Sequence, residues 1–427
     1  MTDPTTPPLT GTRIVEVSSF VAVPLAGMTL GQLGADVTRV DPIGGAADYT
    51  RWPLTADGES IYWASLNKGK RSLAANFRDP EAQALIADLV VDAGVLISNV
   101  AGRDWLDYDA LAARRPDLVH VQLLGRANGG AAVDYTVNAA MGFPLVTGPV
   151  GTSSPVNHVL PAWDIAAGLY TALAVASAIR RRDATGQGAR IVLPLEDVAL
   201  ATVGNLGYLA EAQFGGPDRE RLGTAVYGTF GTDVVTSDGV RFMLVALTPR
   251  HFADLTGLTG TTDAVKALET ALGVDFRDEG TRFRHRDTLS SLIRSWFLEH
   301  TAEEASTALA SSSVLHERYR TFRELAADPL VTDNPMFSVL DQPRIGPHLA
   351  AGLPMSIDGT RAAPQPAPAN GDDTAEVLTT RLGLNADRLA DLTARGVVKV
   401  AAANAAMDTA ATAALDNSAP TDTKDHA

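Results

Sequence analysis

The sequence contains no cysteine. Disulfides, thiolate zinc sites and a cysteine nucleophile are therefore excluded. The usual mark of a secreted scaffold is missing too, although that alone names no compartment. Positive charge is also scarce: 35 Lys and Arg stand against 50 Asp and Glu, a formal net charge of −15. A general nucleic-acid surface needs a basic face, so that class is excluded. A local group of Lys and Arg can still hold phosphates, because salt screens distant charges within roughly 10 Å. Long apolar runs are lacking. The longest, Ile165–Ile179, is rich in Ala, too short to span a bilayer, and reads as a buried helix. Residues 1–10 are rich in Pro and Thr and have no basic patch before an apolar run, so they do not read as a secretory signal. The eight His are scattered, with no two at a helical metal spacing, and no metal is expected. Gly27, Gly31 and Gly34 lack the G-x-G-x-x-G spacing, which leaves NAD binding unsupported.

What is present is enough chain for two domains: 427 residues exceed one compact core. The first half alternates strand-like and helix-like segments. Strands are predicted at Arg13–Val17, Asp36–Val40, Val95–Asn99, Leu118–Leu124 and Ala189–Leu195, and helices at Pro24–Leu33, Pro80–Val91 and Ile165–Arg182. This order predicts an α/β fold, a Rossmann-like parallel sheet flanked by helices. From about Gly223 the texture changes to two strands, Phe230–Val235 and Val240–Leu247, followed by charged helical segments. The expected division is residues 1–222 as the first part of a large domain, 223–325 as a smaller α+β domain, and 326–400 as a return segment completing the large one. Residues 401–427 hold little apolar bulk and are expected to be disordered.

Several short motifs occur in a fixed order. They are Arg13-Ile14-Val15-Glu16-Val17, Val21-Ala22-Val23-Pro24, Gln32-Leu33-Gly34-Ala35-Asp36-Val37, Asp41-Pro42-Ile43-Gly44-Gly45, Leu66-Asn67-Lys68-Gly69-Lys70-Arg71-Ser72, Thr185-Gly186-Gln187-Gly188, Ala327-Asp328-Pro329 and Ala394-Arg395-Gly396-Val397-Val398. Each is weak alone. As an ordered set from about residue 10 to 400, they resemble the family III CoA-transferases. The segments around Asp134-Tyr135-Thr136-Val137-Asn138, Asn157–Ile165 and Asp333–Phe337 are most similar to members that move CoA between the two carboxylates of mesaconate. The resemblance implies a cytoplasmic, interlocked homodimer acting on an acyl-CoA. It implies no tightly bound cofactor beyond the coenzyme A of the substrate, and no nucleic-acid or membrane partner.

On this resemblance Asp164 is the catalytic nucleophile. It stands just before a long apolar helix, where a carboxylate faces the positive end of the dipole; on spacing alone it reads first as a plain helix cap, and the resemblance reverses that order. A carboxylate can attack a thioester, form a mixed anhydride, and then carry CoA as an aspartyl thioester. The same resemblance assigns CoA contacts to Val21, Ala22, Asn67, Lys70, Arg71 and Asn99. Where the family has an arginine this sequence has Ala101, and Arg103 is the expected substitute. Lys70 and Arg71 suit phosphate oxygens, or form a solvated charge cluster before a strand. His158 either binds a substrate carboxylate or satisfies a turn, and Arg126 and Tyr135 are plausible carboxylate binders. Oxyanion donors are sought near Gly125–Gly130 or Gly228–Gly231. Transfer between acyl-CoA and a separate acid is the alternative. A racemase reading, which needs a His–Asp pair for proton transfer, meets Val133 beside Asp134 and loses its base.

Overall fold

The computed structural model describes residues 6–100 and 102–401. Ala101 and residues 402–427, nearly all of the tail expected to be disordered, lie outside the described residues.

Seven strands form one sheet: β1 (Arg13–Val17), β2 (Asp36–Pro42), β3 (Arg71–Ala75), β4 (Val95–Ser98), β5 (Val119–Leu124), β6 (Ala189–Pro194) and, far along the chain, Val398–Lys399. Their order is Val398–Lys399, β3, β2, β1, β4, β5, β6. All neighbours are parallel except the last two-residue strand, which runs against β3. The α/β expectation therefore holds as a mixed fold with a large, mostly parallel sheet. Of the central strands β4 reads as an apolar run, Val95-Leu96-Ile97, as covered faces demand, whereas β1 and β2 carry the buried Glu16, Arg39 and Asp41. Val15, Val17, Leu73 and Leu96 pack with Ile86, Leu89, Val377 and Leu392 from the helices Pro80–Ala93, Thr374–Leu382 and Ala386–Ala394. Pro80 sits at the start of its helix behind the Asp79 cap, and Gly94 ends it in the left-handed conformation, the usual Pro-in, Gly-out signature.

Strand β3 is anticipated only as a strand following Lys70 and Arg71, without bounds, and it begins at Arg71 itself. Arg71-Ser72-Leu73-Ala74-Ala75 opens on a charge and has no β-branched or aromatic residue, so propensity and alternation both fail. Burial between β2 and the Val398–Lys399 strand makes it a strand all the same.

The chain divides into two compact units. Described residues within Met1–Gly129, Asp164–Pro194 and Met336–Ala427 make one, and those within Gly130–Trp163 and Leu195–Pro335 the other. Segments 130–163 and 195–222 thus group with the second unit rather than with the sheet. That unit contains an antiparallel sheet of Phe230–Val235, Arg241–Ala246 and Leu315–Arg318, with a core of Phe230, Phe242, Phe252, Phe276, Ile293 and Phe297.

Among the described residues one helix, Ala162–Thr185, is long and apolar enough to cross a membrane, and it extends beyond the run read from the sequence at both ends. Its buried positions Ala167, Thr171, Val175, Ala178 and Ile179 recur every three or four residues, the stripe of a helix laid on a protein core.

Candidate active site

Strands β1, β2 and β3 step one way across the sheet and β4, β5 and β6 step the other, so the order reverses between β1 and β4. At such a reversal the loops leaving the two carboxyl ends part and leave a crevice. Here those ends are Val17 and Ser98. The loop Ser18–Val21 leaves the first, and Asn99 follows the second. Asn99 joins them: Ser19 N–H donates to Asn99 Oδ1 at 3.0 Å, and Asn99 Nδ2–H donates back to Ser19 O at 2.8 Å. Phe20 has a φ of 67°, a strained value for a bulky residue. Its N–H donates to Asp48 Oδ2 at 3.0 Å. Val21 and Ala22 then open the helix Ala22–Gln32, whose first turn has no side-chain cap.

Beneath this loop lies a buried ion network. Arg39 donates to Asp41 Oδ2 at 3.0 Å, to Asp48 Oδ1 at 3.0 Å, to Asn67 Oδ1 at 3.0 Å and to the Ser18 carbonyl at 3.2 Å. Its guanidinium also lies 4.1 Å from the Trp63 ring centroid. Burial alone would lower the Arg39 pKa, but Asp41, Asp48 and Glu16 together hold it above the ordinary arginine value. Burial pushes the Asp41 carboxyl up to about 6 against the pull of Arg39.

Lys70 belongs to this network. It is fully buried and gives its ammonium protons to Glu16 Oε1 at 2.9 Å, Pro24 O at 2.8 Å and Asn67 Oδ1 at 2.8 Å. An ammonium has three donors, so none remains for a phosphate. The CoA contact expected of Lys70 therefore finds no free side-chain donor. Asn67 is equally committed, accepting from Arg39 and Lys70 and donating to Trp63 O at 3.0 Å. Arg71 opens β3 at the amino end of its strand, away from the crevice, and pairs with Asp36 at 3.0 Å and with Glu376. It is therefore no part of the crevice. Burial lowers the Lys70 pKa to about 8, partly offset by Glu16.

Asp164 lies in the first turn of the helix Ala162–Thr185, half-buried. It is not the cap: the N–H of Trp163 donates instead to Asp134 Oδ2 at 2.8 Å. One turn after Asp164, Gly168 rests on the start of the loop helix, where an added Cβ would lie 2.6 Å from the Ala22 carbonyl oxygen. That glycine brings the helix of Asp164 against the Val21–Ala22 loop. Two residues that sequence reasoning missed complete this edge. Burial pushes the Tyr62 hydroxyl up to about 12, opposed by the charge of Arg51 and reinforced by those of Asp48 and Asp164. Arg51 stacks its guanidinium 5.3 Å from the Phe20 ring centroid and 5.4 Å from that of Tyr62. Arg51 sits in irregular chain and Tyr62 in the short helix Ile61–Leu66, both outside any quoted motif, and only the stacking of Arg51 on Phe20 and Tyr62 betrays them.

Arg103 is exposed and lines a polar cavity of about 200 Å³ with Ser98, His120, Gln122 and Arg190 at the carboxyl end of β4. His120 is held near 4, first by burial and then by Arg190, so it stays neutral there. Arg126 is half-buried in the turn after β5. In that turn Gly129 N–H is spent on Arg126 O, which removes it as an oxyanion donor. In the second unit Gly231 is paired with Val245 in the sheet. Also there, His158 Nε2 lies 3.0 Å from Asn138 Oδ1, which accepts from Trp163 Nε1 as well, and the exposed Tyr135 donates to Val159 O at 3.1 Å. Val133 is exposed and begins the helix Asp134–Ala140. Among the described residues no cluster of three or more His, Cys, Asp or Glu could hold a metal.

Comparison with known proteins fits this geometry. The model of CoA-transferase family III matches residues 9–374. The chain is 47% identical over 398 residues to a 2-methylfumaryl-CoA isomerase of Chloroflexus aurantiacus, covering 91% of this chain and 97% of that protein. It is 27% identical over 410 residues to a succinyl-CoA–D-citramalate CoA-transferase of the same organism, covering 92% and 98%. A crystal structure of a CAIB/BAIF family protein from Brucella suis superposes with a TM-score of 0.72 at 27% identity, covering 87% of this chain and 99% of that one.

Proposed function

This chain belongs to CoA-transferase family III, and from that membership we propose that it moves CoA between the C1 and C4 carboxylates of mesaconate, converting 2-methylfumaryl-CoA to 3-methylfumaryl-CoA. The observation that carries the reading is the 47% identity to a 2-methylfumaryl-CoA isomerase along 91% of the chain. Asp164 attacks the C1 thioester carbonyl, expelling CoA thiolate and forming a mixed anhydride. The thiolate then attacks the aspartyl carbonyl, giving an aspartyl-CoA thioester and free mesaconate. The C4 carboxylate of the retained diacid attacks that thioester, and the thiolate released attacks the C4 carbonyl of the second anhydride. Asp164 returns as carboxylate, with no net change of protons or electrons. Holding the diacid in place gives its second attack a high effective concentration.

CoA lies over the Val21–Ala22 loop, with Arg103 at the polar cavity as its phosphate partner. Asn99 acts through the loop it holds, and Arg126, Tyr135 and His158 remain candidates for the acyl group. The large domain is Rossmann-like and the second unit is the smaller one. Two copies interlock: the helix Ala162–Thr185 leaves Leu169, Tyr170 and Leu173 about half exposed, an apolar face that supports a partner copy. A cytoplasmic setting follows from the substrate, since CoA thioesters are made and spent with the CoA pool. The second reading, transfer from an acyl-CoA to a separate dicarboxylic acid, draws on the likeness to the D-citramalate transferase. The racemase reading finds no base at Val133.

The test is to incubate the protein with the C1 ester of mesaconyl-CoA alone and separate the CoA esters by chromatography. The C4 ester is expected without added acid, and Asp164→Ala should lower its rate more than about a thousandfold while remaining folded. Turnover only after a free acid is added would favour the second reading. Turnover in Asp164→Ala would overturn the aspartyl mechanism.

A further inference from the structure

We propose that Arg51 is a substrate-binding residue that grips the carboxylate of the acyl group not engaged by Asp164. This inference deepens the function proposed above and rests on its dicarboxylic substrate class.

The cations around the crevice divide by what they already hold. Arg39 and Lys70 are buried and their donors are taken by the network beneath the loop. Arg51 is exposed, and among the described residues no carboxylate or carbonyl receives its guanidinium. Its backbone is fixed all the same. Arg51 N–H donates to Asp48 O at 3.2 Å, and its own carbonyl accepts from Ser60 Oγ at 2.6 Å. Asp48 also holds the N–H of Phe20, so one residue anchors both the loop and the cation above it. The rings of Phe20 and Tyr62 flank the guanidinium and leave its planar N–H fork as the polar edge. That fork matches a carboxylate in bidentate fashion, and apolar walls strengthen the pairing. Tyr62, whose hydroxyl feels the charges of both Arg51 and Asp164, ties the cation to the nucleophile's surroundings. Its raised pKa keeps the phenol protonated and able to donate.

A diacid bound as a CoA ester has one free carboxylate. With Arg51 on that end and the thioester carbonyl at Asp164, the acyl group is held at both ends. Once CoA rests on Asp164, the diacid exchanges ends, and the same guanidinium holds C1 while C4 reacts. One cation thus serves both halves of the cycle.

A phosphate of CoA would meet a guanidinium with the same chemistry, so the experiment separates the two anions. Dissociation constants are measured by calorimetry in an Asp164→Ala background, which takes away turnover. The ligands are mesaconyl-CoA and succinyl-CoA, with a free carboxylate, and crotonyl-CoA and free CoA, without one. Arg51→Leu, which keeps apolar bulk against Phe20 and Tyr62, should weaken the first pair about 30-fold or more and leave the second pair within about twofold. Arg51→Lys should recover part of the loss. Equal weakening of all four would assign Arg51 to a CoA phosphate or to loop packing and overturn the proposal. So would no weakening, or a parent protein that binds the diacid esters no better than crotonyl-CoA. A protein that fails to interconvert the mesaconyl esters yet shows the Arg51-dependent difference would sink the isomerase reading and leave this inference standing. The reverse pattern would sink this inference alone.

Discussion

On the inner side of the Ser18–Ala22 loop, Glu16, Arg39, Asp41, Asp48, Asn67 and Lys70 are all nearly inaccessible and bonded to one another. On its outer side, Arg51, Tyr62 and Asp164 stand at least partly open to solvent. The two groups draw on the same residue chemistry and share Asp48 at their boundary, but the inner charges are spent on each other. Removing one partner from a buried pair leaves the other desolvated and uncompensated. The inner side therefore sets the position of the loop, and the groups with open faces stand on the outer side. A lysine in a motif with a family history of CoA contact need not itself touch the ligand.

The sharpest way to break this comparison is Lys70→Met. If Lys70 is a member of the network, the variant should lose roughly 3–5 kcal/mol of stability in urea titrations. A variant as stable as the parent, with weakened affinity for CoA alone, would move Lys70 to the binding side. A smaller effect is expected at the join between the two sides. Asn99→Ala removes both bonds to Ser19, at about 1–3 kcal/mol of local order. The Michaelis constant should rise about tenfold with little change in melting temperature, and an unchanged Michaelis constant would show that the loop holds without Asn99. The smallest effect is in pH. The folded Asp41 carboxyl sits near 6 against an ordinary 3.8, so its contribution to stability is complete below 3.8 and lost as pH rises through 6. The stability of the parent relative to Asp41→Asn should therefore grow as pH falls from 7 to 5. A difference that is flat or shrinks over that range would mean Asp41 ionises normally.

Much of the fold was legible because period and punctuation agree. Strand β1 carries the predicted bounds, and the helix starting at Pro80 runs two residues past its predicted end to the left-handed Gly94. The bounds of strand β3 were illegible because Ser72, Ala74 and Ala75 are small residues whose strand state comes from neighbours on both sides. At the candidate site, Asp164 and Asn99 were singled out through motifs. Arg51 and Tyr62 were not, since the stacking of Arg51 on Phe20 and Tyr62 exists only after the chain has folded. The bonds that Lys70 and Arg71 already make were hidden for a related reason: a sequence shows that a cation is present and hides how many of its donors are already committed.

Gly168 gives the site a manufacturing tolerance. The helix that carries Asp164 meets the Ala22 carbonyl and the Leu25 side chain as one machined face meets another, because Gly168 brings no side chain of its own. A single methyl there would act as a shim, and the whole 24-residue rod would have to tilt or slide to admit it. The reach of the Asp164 carboxylate is thus gauged by an atom that the chain leaves out.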